Sequence, residues 1–297
     1  MRPDAWRAQG ELQRHGGFDL FVVDDGDASH GTVLLIHGFP TASWDWQKIW
    51  PELRQQYRLV AMDMLGFGFS DKPERHHYSI FEQADLVESI VRQLGLERFH
   101  VLAHDYGDTV AQELLWRQNA GTGAGIWQSV CFLNGGLFPE THRALLTQKL
   151  LLSPLGSLVN RLSSQRSFER AMRRVFGRDT QPDARELADF WSLILNNDGK
   201  HVFHNLITYM RDRRENRERW VAALRDARVP VALINGSADP VSGAHMVERF
   251  KELALPLAYL SALDDIGHYP HTEAPQAVAR DYLAFLGQVA AATRNPD

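Results

Sequence analysis

The chain has 297 residues, 44% of them hydrophobic, and 32 lysines and arginines against 37 acidic residues give a formal net charge of -5. That charge leaves no basic footprint for a nucleic-acid binder, and no apolar run approaches the length needed to span a bilayer. The length accommodates one large α/β domain with an insertion, or two domains.

Residues 11–24 read as two strands, Glu11 to His15 and Phe18 to Val23, joined at Gly16-Gly17. Thr32-Val33-Leu34-Leu35-Ile36 is continuously apolar, as a strand buried on both faces must be, and runs into His37-Gly38-Phe39-Pro40. Gly38 lets the backbone bend close to a ligand, so the Phe39 N–H is expected to face a pocket. Ser43 to Arg54 is expected to be a helix carrying Trp44, Trp46, Ile49 and Trp50, with Pro51 inside its span. Leu59 to Met62 is the next strand. The following glycine- and aromatic-rich loop, Gly66-Phe67-Gly68-Phe69-Ser70-Asp71-Lys72-Pro73, lacks the ending of a phosphate loop. Ile80 to Leu94 has helical spacing and stops at Gly95. Phe99 to Ala103 is a strand, Asp108 to Gln118 a helix, and Ser129 to Asn134 a strand. Cys131, the single cysteine, falls inside that last strand and reads as buried. The absence of a cysteine pair suits a reducing compartment, and Met1 to Trp6 lacks a secretory core, so a cytoplasmic location is expected.

From 137 to 228 the alternation gives way to helices: His142 to Leu152, Ser167 to Val175, Arg185 to Leu195 and Val202 to Leu224. The charged run 211–219 is expected to be a solvated helix face with local ion pairs. Strands resume at Val231 to Ile234 and Leu257 to Ser261, with helices at Gly243 to Leu253 and Pro275 to Ala290. Repeated βα units imply a mostly parallel sheet covered by helices on both faces. The expected organisation is a core domain of residues 1–136 and 229–297, with a helical cap, 137–228, over the carboxyl edge of the sheet.

The chemistry is expected at Val101-Leu102-Ala103-His104-Asp105-Tyr106-Gly107-Asp108. Strand, small-x-Asp-x-Gly and helix form the spacing of a nucleophile elbow, here tipped by a carboxylate. Alone, these residues are also compatible with a polar turn in which Asp108 and Thr109 cap the helix. A base and an orienting acid should follow in the order nucleophile, acid, histidine. Asp239 follows the strand 231–234, and His268 follows the strand 257–261. Asp264 and Asp265 adjoin His268 too closely to fold back onto it, and position 134 holds Asn, so Asp239 is the expected acid. His-Glu-x-x-His and paired cysteines are absent from the sequence, and neither a metal nor another cofactor is expected.

With His37-Gly38-Phe39-Pro40, the loop 66–73, His104-Asp105-Tyr106-Gly107 and Gly267-His268, the chain resembles the α/β-hydrolase superfamily over its whole length. It is most similar to the epoxide hydrolase and haloalkane dehalogenase branch. Within that branch, Asp105 to Leu115, Asn134 to Arg143 and Asn196-Asn197-Asp198-Gly199 resemble the mesoderm-specific transcript protein family.

The resemblance implies that Asp105 attacks a saturated carbon to form an enzyme ester. His268, oriented by Asp239, then activates the water that hydrolyses it, with Phe39 and Tyr106 N–H groups as the oxyanion hole. It further implies that Tyr209, on the last helix of the cap, is an acid for opening an epoxide. The usual first lid tyrosine has no counterpart; His142 or Gln148 are alternatives. A dehalogenase of that branch usually has Trp and Asn where this chain has Tyr106 and Phe39. The expected partner is a small apolar epoxide-type substrate. A haloalkane dehalogenase and a non-catalytic ligand-binding protein are the alternatives, and a homodimer is compatible with the chain.

Overall fold

The apolar runs bury their faces by joining a single sheet. In the computed structural model, which describes residues 1–294, the strands are β1 (Gly10–His15), β2 (Phe18–Asp25), β3 (Thr32–Ile36), β4 (Arg58–Met62), β5 (Arg98–His104), β6 (Ile126–Leu133), β7 (Val231–Gly236) and β8 (Tyr259–Leu263). Their order is β1-β2-β4-β3-β5-β6-β7-β8. The β1–β2 hairpin and the β2–β4 pair are antiparallel; all later pairings are parallel. Val33 to Ile36 and Val101 to Ala103 are at most 1% exposed. Burial of each large aliphatic side chain there contributes about 1.5–3 kcal/mol.

Register decides where the loops emerge. Ile36 pairs with Ala103, His104 with Leu133, and Gly236 with Leu263. The strands β3, β5, β6, β7 and β8 therefore end near one edge, and residues 38–39, 105, 134, 239 and 268 all lie just beyond it.

The helix Ile80–Gln93 starts where Ser79 accepts the Glu82 N–H and buries Ile80, Ala84, Val87 and Val91 against the sheet. The expected single helix from Ser43 to Arg54 is instead a 3-10 segment, Ser43–Lys48, followed by a short helix, Trp50–Leu53. Proline lacks an N–H and is tolerated only in a first turn, so a new helix starts around Pro51. The expected long helix from Val202 to Leu224 is likewise broken into Phe203–Leu206, Tyr209–Glu215 and Arg217–Arg225. The backbone leaves helical geometry at Asn216, at φ -107° and ψ 18°.

Between β6 and β7 the chain is helical apart from its connections. Asn196-Asn197 fasten this segment to the loop after β4. The Asn196 amide donates to the Gly68 carbonyl, the Asn197 amide to the Phe69 and Ser70 carbonyls, and Lys72 returns a bond to the Asn196 carbonyl. Buried Glu113 is a second fastening, accepting from Arg117, Arg219 and the Trp220 indole. No helix among the described residues is long and apolar enough to cross a membrane.

Candidate active site

Strand β5 ends at His104 and the next helix, Tyr106–Asn119, begins two residues later. Asp105 forms the turn between them at φ 47° and ψ -103°. A non-glycine residue held there costs about 1–3 kcal/mol. The helix starts two residues earlier than its apolar pattern suggested, so Asp108 and Thr109 lie inside it and cannot cap it. Two glycines make the turn possible. A Cβ on Gly107 would lie 2.3 Å from the Ile36 carbonyl oxygen, and one on Gly38 would lie 2.9 Å from Asp105 Cβ. The 37–40 loop and the elbow can approach only because both positions lack side chains.

The Phe39 N–H donates to Asp105 Oδ2 at 3.2 Å. Tyr106 is the first residue of the elbow helix, so its N–H belongs to the group that an α-helix leaves without an internal acceptor. On the other side, His268 Nε2 lies 3.8 Å from Asp105 Oδ1. His268 Nδ1 donates to Asp239 Oδ2 at 2.7 Å. Asp239 also accepts from the Val241 and Ser242 amides, the Ser242 hydroxyl and the Asn134 side chain. Asn134, which cannot supply a carboxylate itself, thus holds the one that bonds to His268.

Burial opposes a charge on His268, but the charge and hydrogen bond of Asp239, with the charge of Asp105, outweigh it and push the imidazole up to about 9. Burial likewise opposes ionised Asp239, and His268 with the amide donors holds it below the usual carboxylate range. The resting pair is imidazolium and carboxylate. The His104 Nε2–H group donates to the His268 carbonyl at 2.8 Å and fixes the loop that carries the ring.

Tyr209 is fully buried, its ring edge-on to Tyr106 at 4.8 Å and tilted against Phe39 at 6.1 Å. Its hydroxyl has no partner among the described residues. Burial, then the charge of Asp105, pushes that phenol up, against the opposing pull of the adjacent Arg213 guanidinium. Tyr106 is also fully buried, and its ring packs against Phe67 and Tyr209.

One residue here was missed in the sequence. Arg213 is 2% exposed and not part of a solvated face. Its Nη2 donates to the Asp105 carbonyl at 3.0 Å and lies 3.9 Å from Asp105 Oδ1, while Nε donates to Thr109 Oγ1 at 2.6 Å. The guanidinium carbon sits 4.5 Å over the Tyr209 ring. The available signal was spacing: 209 and 213 are four apart, so a helix that turns Tyr209 inward carries Arg213 with it. Of the expected local pairs, Arg217 makes one with Glu218, whereas its bond to Glu140 and that of Arg219 to Glu113 tie the run to distant parts of the chain.

A cavity of about 80 Å³ adjoins Asp105 and His268, walled mainly by Phe39, Phe168, Met172 and Tyr269. Gln148 lines it as well, whereas His142 lines a neighbouring cavity. Beneath the elbow, buried Asp45, His104 and His271 offer ligand atoms within 4.8 Å of one another, the one metal-capable group of this kind among the described residues. Burial raises the Asp45 carboxyl and lowers both imidazoles, which favours the neutral form of all three. Asp45 Oδ2 accepts from the Thr41 hydroxyl.

The alpha/beta hydrolase fold family matches residues 31–117. The bovine (Bos taurus) mesoderm-specific transcript homolog protein is 45% identical over 292 residues, covering 95% of this chain and 87% of that protein. The haloalkane dehalogenase DbeA from Bradyrhizobium elkanii superimposes with a TM-score of 0.81 at 22% identity, over 95% of this chain and 99% of the dehalogenase. The epoxide hydrolase CorEH superimposes with a TM-score of 0.75 at 18% identity, over 94% and 99%. At those identities the two structures speak for the fold alone, and the full-length relative for the family. A mostly parallel sheet, an elbow at the end of β5 and a relative matched along nearly the whole chain lead to one assignment: the chain belongs to the mesoderm-specific transcript family of α/β hydrolases.

Proposed function

We propose that this hydrolase opens epoxides to vicinal diols through an ester on Asp105. A carboxylate oxygen of Asp105 attacks a ring carbon, the ring C–O bond breaks, and the leaving alkoxide takes the Tyr209 phenol proton. The enzyme then holds an alkyl ester. Once the ester has removed the Asp105 charge, His268 releases its resting proton to solvent, from which the Tyr209 phenolate is reprotonated. Neutral His268 then removes a proton from water, and the hydroxide adds to Asp105 Cγ. The Phe39 and Tyr106 N–H groups hold the oxyanion, which collapses to release the diol. The proton taken from water stays on His268, which restores the resting imidazolium, and Asp105 keeps one water oxygen.

The observation that supports this most is the 3.8 Å approach of His268 to Asp105, with the opposite imidazole nitrogen bonded to Asp239. Charge explains how one histidine serves both steps. Asp105 helps hold the proton on resting His268. Esterification removes that negative charge, so the imidazole becomes easier to deprotonate once a base is required. Tyr209 supplies the epoxide-specific part, as a buried hydroxyl without a partner among the described residues. Residues 137–228 act as the cap and 1–136 with 229–297 as the core. The lone buried Cys131 suits a cytoplasmic enzyme.

Single turnover of styrene-type and aliphatic epoxides in heavy-oxygen water tests the mechanism. The Asp105 peptide is expected to gain heavy oxygen. Diol formation without label in that peptide overturns the ester. Halide release from haloalkanes with no epoxide turnover reassigns the chemistry, and tight ligand binding without turnover, unchanged in Asp105→Ala, removes catalysis altogether.

A further inference from the structure

Arg213 has a third nitrogen that the elbow does not use. Nε and Nη2 bond to Thr109 and Asp105, but Nη1 is buried and has no partner among the described residues. His142 is in the same position, with both ring nitrogens buried and unpartnered. The two converge over one glycine. A Cβ on Gly136 would lie 2.4 Å from Arg213 Nη1 and 3.0 Å from His142 Nδ1. The missing side chain at position 136 thus lets these two unused polar groups pack directly onto the backbone and next to each other.

Both residues line a cavity of about 310 Å³, together with Arg143, Lys149 and Arg214. Four cationic side chains therefore border it, and its lining contains no carboxylate. Burial, followed by the charges of Arg213 and His268, holds His142 down to about 3, so the ring is neutral with one N–H to give. Buried guanidinium nitrogens are normally hydrogen-bonded, and a planar oxyanion is the partner that matches their fork.

This cavity adjoins the nucleophile. Arg213 bonds to Asp105 on one side and lines the cationic cavity on the other. Residues 144–149 form the partition: Leu145 and Gln148 face the cavity beside Asp105, and Ala144 and Lys149 the cationic one. An apolar chamber at the reacting atoms next to a cationic chamber fits an amphiphile.

We propose that the cationic cavity binds an oxyanion headgroup, a carboxylate or phosphate, at one end of an otherwise apolar substrate. This rests on the epoxide reading for the reactive group and replaces a wholly apolar substrate with an acidic one. Arg213 and His142 grip the headgroup, while Arg143, Lys149 and Arg214 attract it electrostatically.

Calorimetry on the full chain with decanoate, decyl phosphate and decanamide tests the headgroup without requiring turnover. At least one anion is expected to bind about tenfold or more tighter than the amide, with a preference that falls as salt rises. The tighter of the two identifies the headgroup. Arg214→Gln and Lys149→Gln, both at exposed positions that leave the buried elbow contacts in place, are expected to shrink the preference several-fold, and His142→Asn further. Equal binding of amide and anions, or a preference unmoved by all three substitutions, overturns the proposal. Kinetics with an epoxy acid and its methyl ester separate it from the reaction itself. Anion preference in binding with no turnover of either leaves the headgroup site standing and removes the epoxide chemistry.

Discussion

Arg213 and Asp105 are joined through the main chain: the guanidinium donates to the Asp105 carbonyl oxygen at 3.0 Å. The helix Tyr209–Glu215 is thereby fastened to the strained residue at the tip of the elbow. Arg213→Ala leaves the Asp105 carbonyl and the Thr109 hydroxyl without this donor and removes the positive charge beside Asp105. A loss of about 3–5 kcal/mol is expected, with at least a hundredfold fall in kcat/KM, about 3 kcal/mol of transition-state stabilisation. Arg213→Lys keeps the charge but not the fork, so it should fall between. Denaturant midpoints and steady-state kinetics measure both; an unchanged midpoint in Arg213→Ala contradicts the fastening.

Removing the base should separate the two chemical steps. In His268→Gln, Asp105 still faces its cavity and the Phe39 N–H, so the ester should form and persist. Intact-protein mass spectrometry after mixing with an epoxide is expected to show one substrate added per chain, and peptide mapping should place it on Asp105. Asp239→Asn should behave similarly but leak, because the imidazole keeps its place with weaker orientation. Unmodified protein in both variants counts against alkylation of Asp105.

The places of the strands along the chain were legible because most are continuously apolar or bounded by glycines, as with Val33 to Ile36 running into Gly38; their order across the sheet was not. The meeting of Asp105, Asp239 and His268 followed from the same logic, since each comes directly after a strand and parallel strands end together. Helix breaks were not legible. Val202 to Leu224 contains no proline or glycine to mark a break, and the turn at Asn216 depends on packing against the elbow helix, where Arg219 and Trp220 reach Glu113. Arg213 was hidden for a related reason. In a run of five arginines, charge density argues for solvent, and only the tertiary position of Tyr209 shows which one turns inward. The Asp45, His104 and His271 group was illegible because three separate segments contribute to it.

The raised imidazole of His268 has a consequence for stability. Folded His268 binds its proton up to about 9, against an ordinary value of 6.5 when unfolded. Its contribution is therefore complete below about 6.5 and is lost as pH rises through about 9. In wild type, stability should decline between pH 7 and 10 by on the order of 2 kcal/mol more than in His268→Gln. Urea titrations across that range measure the difference. Parallel pH profiles for the two proteins would show that Asp239 and Asp105 do not hold the proton.

Tyr209→Phe discriminates a reacting hydroxyl from a packing ring. The substitution keeps the ring against Tyr106 and Phe39 and beneath the Arg213 guanidinium, and it removes an oxygen that has no partner among the described residues. A buried hydroxyl without a partner is itself a cost of about 1–3 kcal/mol, so stability should stay level or rise slightly. Epoxide opening should nevertheless slow about a hundredfold, within the usual range for losing a general acid. Ester hydrolysis, measured by the decay of accumulated adduct, should be unaffected, because Tyr209 plays no part in it. A rate loss confined to adduct formation, in a protein at least as stable as wild type, is the signature of a proton donor. Full turnover in Tyr209→Phe would take the role from Tyr209, with Gln148, a polar cap side chain that lines the cavity beside Asp105 and can give a hydrogen bond to the opening oxygen, as the next residue to replace.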